Sequence, residues 1–262
     1  MNMNPTPSRL DLSSAPATAP AMPQVKARGR GVGSNSSGRF EAFKRSGIDD
    51  GWHREDEDLP VLKTHVTEVA ARSIIARNIS PDISFDRSIN PYRGCEHGCS
   101  YCYARPSHAY LGLSAGLDFE SRLFAKTNAV ELLQKELGAK GYEPATIALG
   151  ANTDPYQPVE RQYRLTRDIL KVLNECNHPV GIVTKSALVT RDIDLLKPMA
   201  EKGLVKVAVS ITTLDHKLSR QMEPRASAPG KRLQALELLS AAGIPTVAMT
   251  APIIPAINDM EI

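Results

Sequence analysis

The amino-acid sequence predicts an α/β fold built on a parallel sheet, as in barrels and partial barrels. Short apolar runs typical of buried strands recur along the chain and alternate with amphipathic helices. Strands joined by helical crossovers form right-handed βαβ units. Burial of a parallel sheet on both faces explains why these runs are apolar throughout. Because the chemistry of such folds gathers at the carboxyl ends of the strands, functional side chains are expected just after the predicted strands.

The predicted elements follow one another in a regular order. Strands are placed at 83–89, 145–149, 180–184, 205–211 and 246–253, and helices at 126–137, 161–175, 191–202 and 231–242. In the first helix Val130 and Leu133 share one face, and Gly138 ends the helix. Pro198 is expected to kink or shorten the third helix. Residues 62–75, which precede the first strand, mix strand and helix patterns.

Residues 1–60 are interpreted as an N-terminal arm, separate from a domain that covers 61–262. Pro, Ala, Ser and Gly dominate up to Ser37, and such a segment buries too little apolar surface to offset its ordering entropy. We therefore predict a largely disordered arm. Its basic stretch at 26–30 is either a solvated linker that drapes over the domain or a contact for nucleic-acid phosphates. An acidic run at 55–58 weakens the second interpretation.

Composition and charge indicate an intracellular protein. The formal charge of +3 permits an acidic partner without requiring one. Three of the four cysteines are clustered and do not form a disulfide framework, so a reduced compartment is expected. No apolar run approaches the roughly 18 residues that span a membrane, and the first residues lack the apolar centre of a signal peptide. We predict a cytoplasmic monomer without membrane contact.

The loop after the first predicted strand carries the clearest functional signal. Residues 90–105 are Asn-Pro-Tyr-Arg-Gly-Cys-Glu-His-Gly-Cys-Ser-Tyr-Cys-Tyr-Ala-Arg, so Cys95, Cys99 and Cys102 form a C-x3-C-x2-C pattern. Thiolates this close in one loop can converge on one soft metal centre. Three are too few for a closed electron-transfer iron–sulfur cluster but suffice if one iron stays open for a substrate. Gly94 and Gly98 allow the backbone to bend around such a centre.

Two other interpretations of the cysteines remain open. A zinc site could combine the three cysteines with His97 or His108, although the sequence offers no second C-x2-C or H-x3-H pair. Cys99 and Cys102 could form a redox pair, but no thioredoxin-like strand and helix precede them, and Cys95 would go unused. The remaining cysteine, Cys176, ends a predicted helix and is interpreted as a small core residue.

The cysteine loop closely resembles that of the radical S-adenosylmethionine (SAM) superfamily. In that family three such cysteines bind a [4Fe–4S] cluster whose fourth iron is chelated by SAM, and reductive cleavage of SAM releases a 5′-deoxyadenosyl radical. The resemblance implies that Cys95, Cys99 and Cys102 are the cluster ligands. It places Tyr101 at the family's aromatic position near the adenine. It also implies an electron donor of the flavodoxin or ferredoxin type.

Family members commonly fold as a partial (β/α) barrel of the TIM type with six units, and five strands are predicted here. We therefore predict a partial barrel truncated after its fifth strand, without the sixth βα unit. An apolar fifth strand with an open edge would be an aggregation liability.

From about Asn90 onward, the loops resemble those of the spore photoproduct lyase and DNA-photolyase-like branch of the family. This resemblance places Thr153 and Asp154 near the methionine amino group of SAM. It places Lys185 near the carboxylate, where a cation has a Coulombic role, and Ser210 at the ribose. The alternatives are a proline-rich turn capped by Asp154, a solvated lysine, and a serine bonded to backbone.

Further candidates follow the last two predicted strands. Arg225 or Arg232 could bind the SAM carboxylate in a bidentate manner or lie on a solvated helix start. Glu223 has no assigned role. The resemblance makes Ile253 part of an apolar platform for the adenine, whereas plain core packing would explain it equally well.

One departure from the lyase bears on the reaction. The lyase has a hydrogen-donor cysteine just before the second-strand turn, where this sequence has Ala151. Repair of thymine-dimer type by that mechanism is therefore not expected, although Tyr156 or Tyr163 could relay hydrogen. Nucleic acid is the first substrate hypothesis, and a small metabolite or a protein side chain is the alternative. A zinc-stabilised nucleic-acid-binding module without catalysis is the competing function.

Overall fold

The computed structural model describes residues 29–37, 40 and 62–261. The strands in this part of the chain are β1 (His65–Val69), β2 (Ile75–Arg77), β3 (Arg87–Ile89), β4 (Tyr92–Arg93), β5 (Arg122–Lys126), β6 (Ile147–Leu149), β7 (Val180–Thr184), β8 (Val205–Ser210) and β9 (Thr246–Met249). The α-helices are α1 (Leu117–Ser121), α2 (Ala129–Leu137), α3 (Glu160–Tyr163), α4 (Leu165–Glu175), α5 (Ile193–Glu201), α6 (His216–Met222) and α7 (Pro229–Ala241). Short 3-10 helices cover Arg105–Leu111, Ala187–Asp192 and Asp259–Glu261.

The main sheet has six strands in the order β2-β3-β6-β7-β8-β9. Neighbours from β3 to β9 are parallel, and β2 is antiparallel to β3 at one edge. The predicted α/β class and all five predicted parallel strands are therefore confirmed. Several strands are shorter than predicted. β9, for example, ends at Met249 rather than at 253. Residues 250–253 include Pro252, which has no amide hydrogen to donate to a neighbouring strand.

The core lies between this sheet and the helices. Strand residues such as Ile147, Ile182 and Val207 are fully or almost fully buried and pack with helix residues such as Leu133 and Leu173. Full burial of each such side chain contributes roughly 1.5–3 kcal/mol. The unbroken apolar runs in the sequence are therefore explained by coverage of the sheet.

A second, three-stranded sheet with the order β1-β5-β4 was not predicted. In β5, Leu123 and Ala125 are buried, whereas Arg122 is exposed and Lys126 is half-buried. This alternation has the period of two that is typical of a strand. The predicted helix over 126–137 is consequently wrong at its start, because Lys126 ends β5 and α2 begins at Ala129.

Three other predictions at helix ends need correction. The predicted helix over 161–175 is interrupted at Arg164, whose φ of 55° is left-handed, and it divides into α3 and α4. Cys176 ends α4 but is exposed, so its interpretation as a core residue is wrong. The helix α6 was missed, although Asp215 caps it by accepting a hydrogen bond from the Lys217 amide at 2.7 Å.

The far edge of the main sheet is less well covered. Within the described residues β9 forms that edge, and Val247 remains 38% exposed. Ile257 and Met260, which follow β9, are also exposed. The described part of the chain contains no sixth parallel strand beside β9. No helix in that part is long and apolar enough to cross a membrane.

Most of the predicted arm lies outside the described residues. This includes Lys26 and Arg28 of the basic stretch and the acidic run at 55–58. Residues 29–37 are described, and Arg30, which ends the basic stretch at 26–30, is buried. For Arg30 the interpretation as a solvated or phosphate-binding residue is wrong, because its guanidinium bonds to carbonyl groups inside the protein.

Candidate functional site

The cysteine loop lies beyond β3 and β4, at the carboxyl end of the main sheet. Gly94 and Gly98 have left-handed φ angles of 77° and 65°, which glycine adopts without strain. A Cβ atom at Gly94 would lie 2.6 Å from Leu123 Cδ2, and one at Gly98 would lie 2.6 Å from Glu120 Oε2. The predicted role of both glycines in bending the loop is confirmed by these angles and close approaches.

Contacts from distant parts of the chain hold the loop. The Cys95 amide donates to the carbonyl of Phe119 at 2.9 Å, and the Ser100 amide donates to the carbonyl of Met222 at 2.9 Å. The buried Gln157 side chain accepts from the Glu96 amide and donates to the Gly94 carbonyl. The loop backbone is therefore fixed from the α1 side, the α3 side and the end of α6.

All three cysteines of the loop are free thiols in a mostly buried setting, and Cys102 is the most accessible of them. The pKa of the Cys95 thiol is raised well above its usual value, mainly by burial and secondly by the negative charge of Asp154. Burial, followed by Glu223, raises the pKa of the Cys99 thiol to about 12. Any metal centre must therefore displace protons from these thiols.

Cys95 and Cys99 influence each other electrostatically, as do Cys99 and Cys102. The described residues contain no group of three or more His, Cys, Asp or Glu side chains that could hold a metal ion.

The two histidines of the zinc hypothesis have other partners. His97 Nδ1 lies 3.2 Å from Asp154 Oδ2. His108 is fully buried, and its Nε2 lies 2.9 Å from the carbonyl oxygen of Arg122. His108 Nδ1 has no hydrogen-bond partner within the described residues, so these contacts leave one nitrogen of that ring available.

Thr153 and Asp154 lie beside the cysteine loop but are engaged by the protein. The buried Thr153 hydroxyl donates to the carbonyl of Tyr92 at 3.0 Å. Asp154 accepts from the Tyr156 amide, the Lys185 amide and the Thr184 hydroxyl at 2.7–2.8 Å. Burial opposes ionisation of Asp154, but His97 and these hydrogen bonds lower its pKa overall. The geometry favours the alternative of a structural turn capped by Asp154.

Lys185 and Ser210 meet at the ends of neighbouring strands. Lys185 Nζ donates to Ser210 Oγ at 2.6 Å, lies 3.5 Å from Glu223 Oε1 and is 5.7 Å from the centre of the Tyr101 ring. The Lys185 side chain is 18% exposed, so it is neither solvated nor sealed in the core. The alternatives of a solvated lysine and a backbone-bonded serine are therefore wrong for this pair.

Glu223 is the centre of a buried polar cluster that sequence reasoning left without a role. It accepts hydrogen bonds from Tyr101, Thr212 and Arg232. Burial opposes ionisation, but the charges of Arg232 and Lys185 lower the pKa of Glu223 overall. Glu223 and Lys185 also influence Cys99 electrostatically, which places this cluster beside the cysteine loop.

The two candidate arginines are both held by the protein. Arg232 is fully buried, and it donates to Glu223, to the Ser210 carbonyl at 2.9 Å and to the Ser227 carbonyl at 2.6 Å. Its surroundings favour a structural role over a cofactor contact or a solvated helix start. Arg225 Nη2 lies 3.1 Å from Glu96 Oε1.

The remaining candidates differ in how far they are buried. Ile253 is 56% exposed, so core packing is not its role. Tyr103 bonds through its hydroxyl to the carbonyl of Ala151. Tyr156 is fully buried, and Tyr163 packs against the core of the small sheet. Their surroundings favour packing over hydrogen relay.

Several residues that hold the site were missed. Gln157, Glu120 and Arg105 are buried polar residues that bond to the cysteine loop or to one another. No local pattern in the sequence marks them, because each acts through partners that are distant or irregularly spaced.

Comparison with known proteins identifies a family over two thirds of the chain. A family model described as the radical SAM superfamily matches residues 89–262. An uncharacterized protein of Mycobacterium tuberculosis is 39% identical over 177 residues, which cover 68% of this chain and 52% of that protein. An uncharacterized protein of Methanocaldococcus jannaschii is 34% identical over 173 residues, which cover 66% of this chain and 62% of that protein. The chain spans about half the length of the mycobacterial relatives.

Solved structures give the same architecture. Spore photoproduct lyase complexed with a dinucleoside spore photoproduct matches with a TM-score of 0.52 and 20% identity over 72% of this chain and 52% of that chain. A mutant form of spore photoproduct lyase matches with a TM-score of 0.53 and 20% identity, and 51% of that chain is covered. At this level of identity the likeness establishes the fold, a partial barrel of the TIM type.

Proposed function

The chain belongs to the radical SAM superfamily, and we propose that Cys95, Cys99 and Cys102 bind a [4Fe–4S] cluster with SAM beside it. Family membership makes the protein an enzyme of the radical SAM type. The bound cofactors supply the electron transfer and the 5′-deoxyadenosyl radical, and the protein supplies binding and a shielded position. The observation that carries the proposal is the location of three thiols, two of them buried, in one loop at the carboxyl end of the sheet and beside a polar cluster.

The polar cluster supplies suitable groups for SAM. Lys185 is cationic and partly exposed, so it can meet the carboxylate of the cofactor. The Ser210 hydroxyl accepts from Lys185 and retains a proton that it can donate to a ribose oxygen. Tyr101 belongs to the loop, bonds to Glu223 in this cluster and is proposed to flank the adenine. Ile253 is proposed as an apolar platform for the adenine.

The residues Thr153, Asp154 and Arg232 are proposed to act indirectly. Asp154 fixes the backbone of Lys185 through the amide hydrogen bond of 2.7 Å. Arg232 compensates the charge of Glu223 and holds the carbonyl of Ser210 at 2.9 Å. These contacts keep the cofactor-facing side chains in place and exclude water from behind them.

Reconstitution without oxygen tests the cluster and the cofactor reaction together. We expect wild-type protein to bind about four iron atoms per chain and to form 5′-deoxyadenosine from SAM when dithionite is added. Cys99→Ala should lose both properties. Cys176→Ala is the matched control, because Cys176 is exposed at the end of α4, and it should behave as wild type. A colourless wild-type protein that binds zinc instead of iron would overturn the proposal.

Nucleic acid is the substrate class that we propose to test first, because the structurally similar lyase is described in complex with a dinucleoside photoproduct. Ala151 stands where the lyase-like reaction would need a cysteine, so a different hydrogen source is expected. Reaction mixtures in deuterated water with undamaged and ultraviolet-treated oligonucleotides would show substrate-dependent formation of 5′-deoxyadenosine, and deuterium in the product if the final hydrogen comes from an exchangeable group. Absence of both signals would direct the search to metabolites or protein side chains.

A further inference from the structure

The described N-terminal segment, residues 29–37, lies against the cysteine loop and α1. The Gly31 amide donates to Glu120 Oε2 at 2.8 Å, and the Val32 amide donates to Glu120 Oε1 at 3.2 Å. Asn35 and Asp118 exchange two hydrogen bonds, at 2.9 and 3.0 Å. These residues are more than 80 positions apart in the sequence. The segment is therefore an integral wall of the site rather than part of a loose arm.

A contact between two glycines shows how closely the segment approaches the loop. A Cβ atom at Gly31 would lie 1.6 Å from the carbonyl oxygen of Gly98 and 2.8 Å from its carbonyl carbon. No side chain fits there without separating the two backbones, because real Cβ atoms do not approach backbone oxygen this closely. Gly98 immediately precedes Cys99. The segment thus contacts the carbonyl group of the residue that immediately precedes a proposed cluster ligand.

The Glu120 carboxylate extends this contact to Cys99. Glu120 is fully buried and pairs with Arg105. Arg105 in turn donates to the Cys99 carbonyl from Nε at 3.1 Å and from Nη2 at 2.8 Å. A continuous path of hydrogen bonds therefore runs from the amides of Gly31 and Val32, through a carboxylate and a guanidinium, to the backbone of Cys99.

A second path reaches the loop through Arg30. Its guanidinium donates to the Glu120 carbonyl at 2.7 Å and to Thr64 Oγ1 at 3.0 Å. The Thr64 hydroxyl donates to Glu96 Oε1 at 2.6 Å, and Glu96 lies between Cys95 and His97 in the loop. The first path ends at Cys99, and the second ends at Glu96, which is next to Cys95. Residues 29–37 are thus connected to both ends of the C-x3-C part of the motif.

We propose that residues 29–37 position the cluster ligands, with Gly31 and Glu120 as positioning residues that fix the backbone of Gly98 and Cys99. This inference rests on the proposed function, because it assigns the loop to cluster binding. A ligand loop held in one conformation before metal arrives loses less conformational freedom on binding. The segment therefore favours cluster binding without contacting the cluster.

Gly31→Ala tests this role in the cluster-free protein. The added methyl group should separate the segment from the loop, so iodoacetamide should alkylate Cys99 at least about tenfold faster, as expected when local opening becomes easier by ~1.4 kcal/mol. Cys176 is exposed and serves as the internal reference, and its rate should not change. Gly230→Ala is the matched control, because a Cβ atom there meets nothing within 4 Å. Peptide mass spectrometry gives both rates in one sample.

The same variant should weaken the reconstituted cluster. We expect iron to be lost to a chelator several-fold faster in Gly31→Ala than in Gly230→Ala, with an altered electron paramagnetic resonance spectrum of the reduced protein. An unchanged rate of Cys99 alkylation in a folded Gly31→Ala protein would overturn the inference. Wild-type protein that binds no iron would instead refute the proposed function, and the alkylation result would remain interpretable.

Glu120→Gln provides a second variant if Gly31→Ala does not fold. The carboxamide has the same shape, but only one of its two ends is an oxygen that accepts hydrogen bonds. The variant must therefore lose either the hydrogen bond from the Gly31 amide or those from Arg105 and the Val32 amide. We expect Cys99 to be alkylated about threefold faster, which corresponds to a modest loss of local stability. A wild-type rate in this variant would likewise overturn the inference.

Discussion

Two buried carboxylates lie beside the cysteine loop, and their surroundings differ. Glu120 and Glu223 are both almost completely inaccessible, and each pairs with an arginine, Arg105 and Arg232 respectively. The other side-chain contacts of Glu120 are backbone amides of the N-terminal segment. Glu223 instead bonds to side chains, including Tyr101, and lies 3.5 Å from Lys185 Nζ.

This difference separates a supporting side of the site from a ligand-facing side. The Glu120 carboxylate is enclosed by fixed backbone groups, and no cofactor atom can replace them without displacing the segment. The Glu223 cluster includes Lys185 and Tyr101, whose side chains are only partly buried and can exchange partners with a ligand. We infer that loss of Glu120 acts mainly on stability, whereas changes around Glu223 act mainly on cofactor binding.

The largest expected effect is a loss of folding stability when Glu120, on the supporting side, is replaced. Glu120→Ala leaves the Arg105 charge buried without its partner, which typically costs about 3–5 kcal/mol in the free energy of unfolding. Urea denaturation of the cluster-free protein would measure this loss. The control is Asp168→Ala, which removes an exposed pair with Lys171 and should cost at most about 1 kcal/mol. Equal small effects in the two variants would show that Glu120 does not hold the site.

The sequence predicted the ligand-facing side better than the supporting side. The cysteine spacing is local. Lys185 follows one predicted strand and Ser210 lies near the end of the next, so the order of strands alone brings them to one edge. Val180–Thr184 was predicted with the bounds that it has, because it is a short apolar run between polar residues. Glu120 could not be found in this way, because its bonding partners at Gly31 and Val32 are 89 and 88 residues away.

Arg30 illustrates the same limit. In the sequence it belongs to a basic, glycine-rich stretch that is typical of a solvated segment. Its burial depends on acceptors at Leu62, Thr64 and Glu120, which the sequence does not connect to it. Secondary-structure propensity and composition describe the conformations that a segment favours in isolation. The burial of Arg30 is instead determined by tertiary contacts.

On the ligand-facing side, we expect substitution of Lys185 to reduce the affinity for SAM by an intermediate amount. Lys185→Met keeps the side-chain length but removes the charge and the hydrogen bond to Ser210. Hydrogen bonds to charged groups contribute about 1.5–3 kcal/mol, so the affinity for SAM should fall by roughly tenfold to 100-fold. Equilibrium dialysis with reconstituted protein would measure it. Lys171→Met on the exposed face of α4 is the control and should bind SAM as wild type does.

This prediction tests the comparison directly. If Lys185→Met reduced the free energy of unfolding by several kcal/mol without changing SAM affinity, the Glu223 cluster would be a supporting structure like the Glu120 pair. Arg232 remains beside Glu223 in the variant, so the buried carboxylate keeps a compensating charge. We therefore expect a stability change of only about 1 kcal/mol.

The smallest effect is expected for Ser210→Ala. The hydroxyl accepts one hydrogen bond from Lys185, and the lysine keeps Glu223 as a second partner at 3.5 Å. The Ser210 carbonyl still accepts from Arg232, because the substitution leaves the backbone in place. The SAM affinity should fall by no more than about tenfold, since one neutral hydrogen bond contributes about 0.5–1.5 kcal/mol. Ser240→Ala, at an exposed position of α7, should leave the affinity unchanged.

Combining the two substitutions shows whether Lys185 and Ser210 act together. If they form one recognition unit, the double variant should lose less affinity than the sum of the single losses, with a coupling of at least about 0.5 kcal/mol. Strict additivity would mean that the hydroxyl contacts SAM independently of the lysine or not at all. A second measurement, the free energy of unfolding of all three variants, separates coupling in cofactor binding from coupling in the folded protein. Coupling confined to unfolding would place this pair on the supporting side as well.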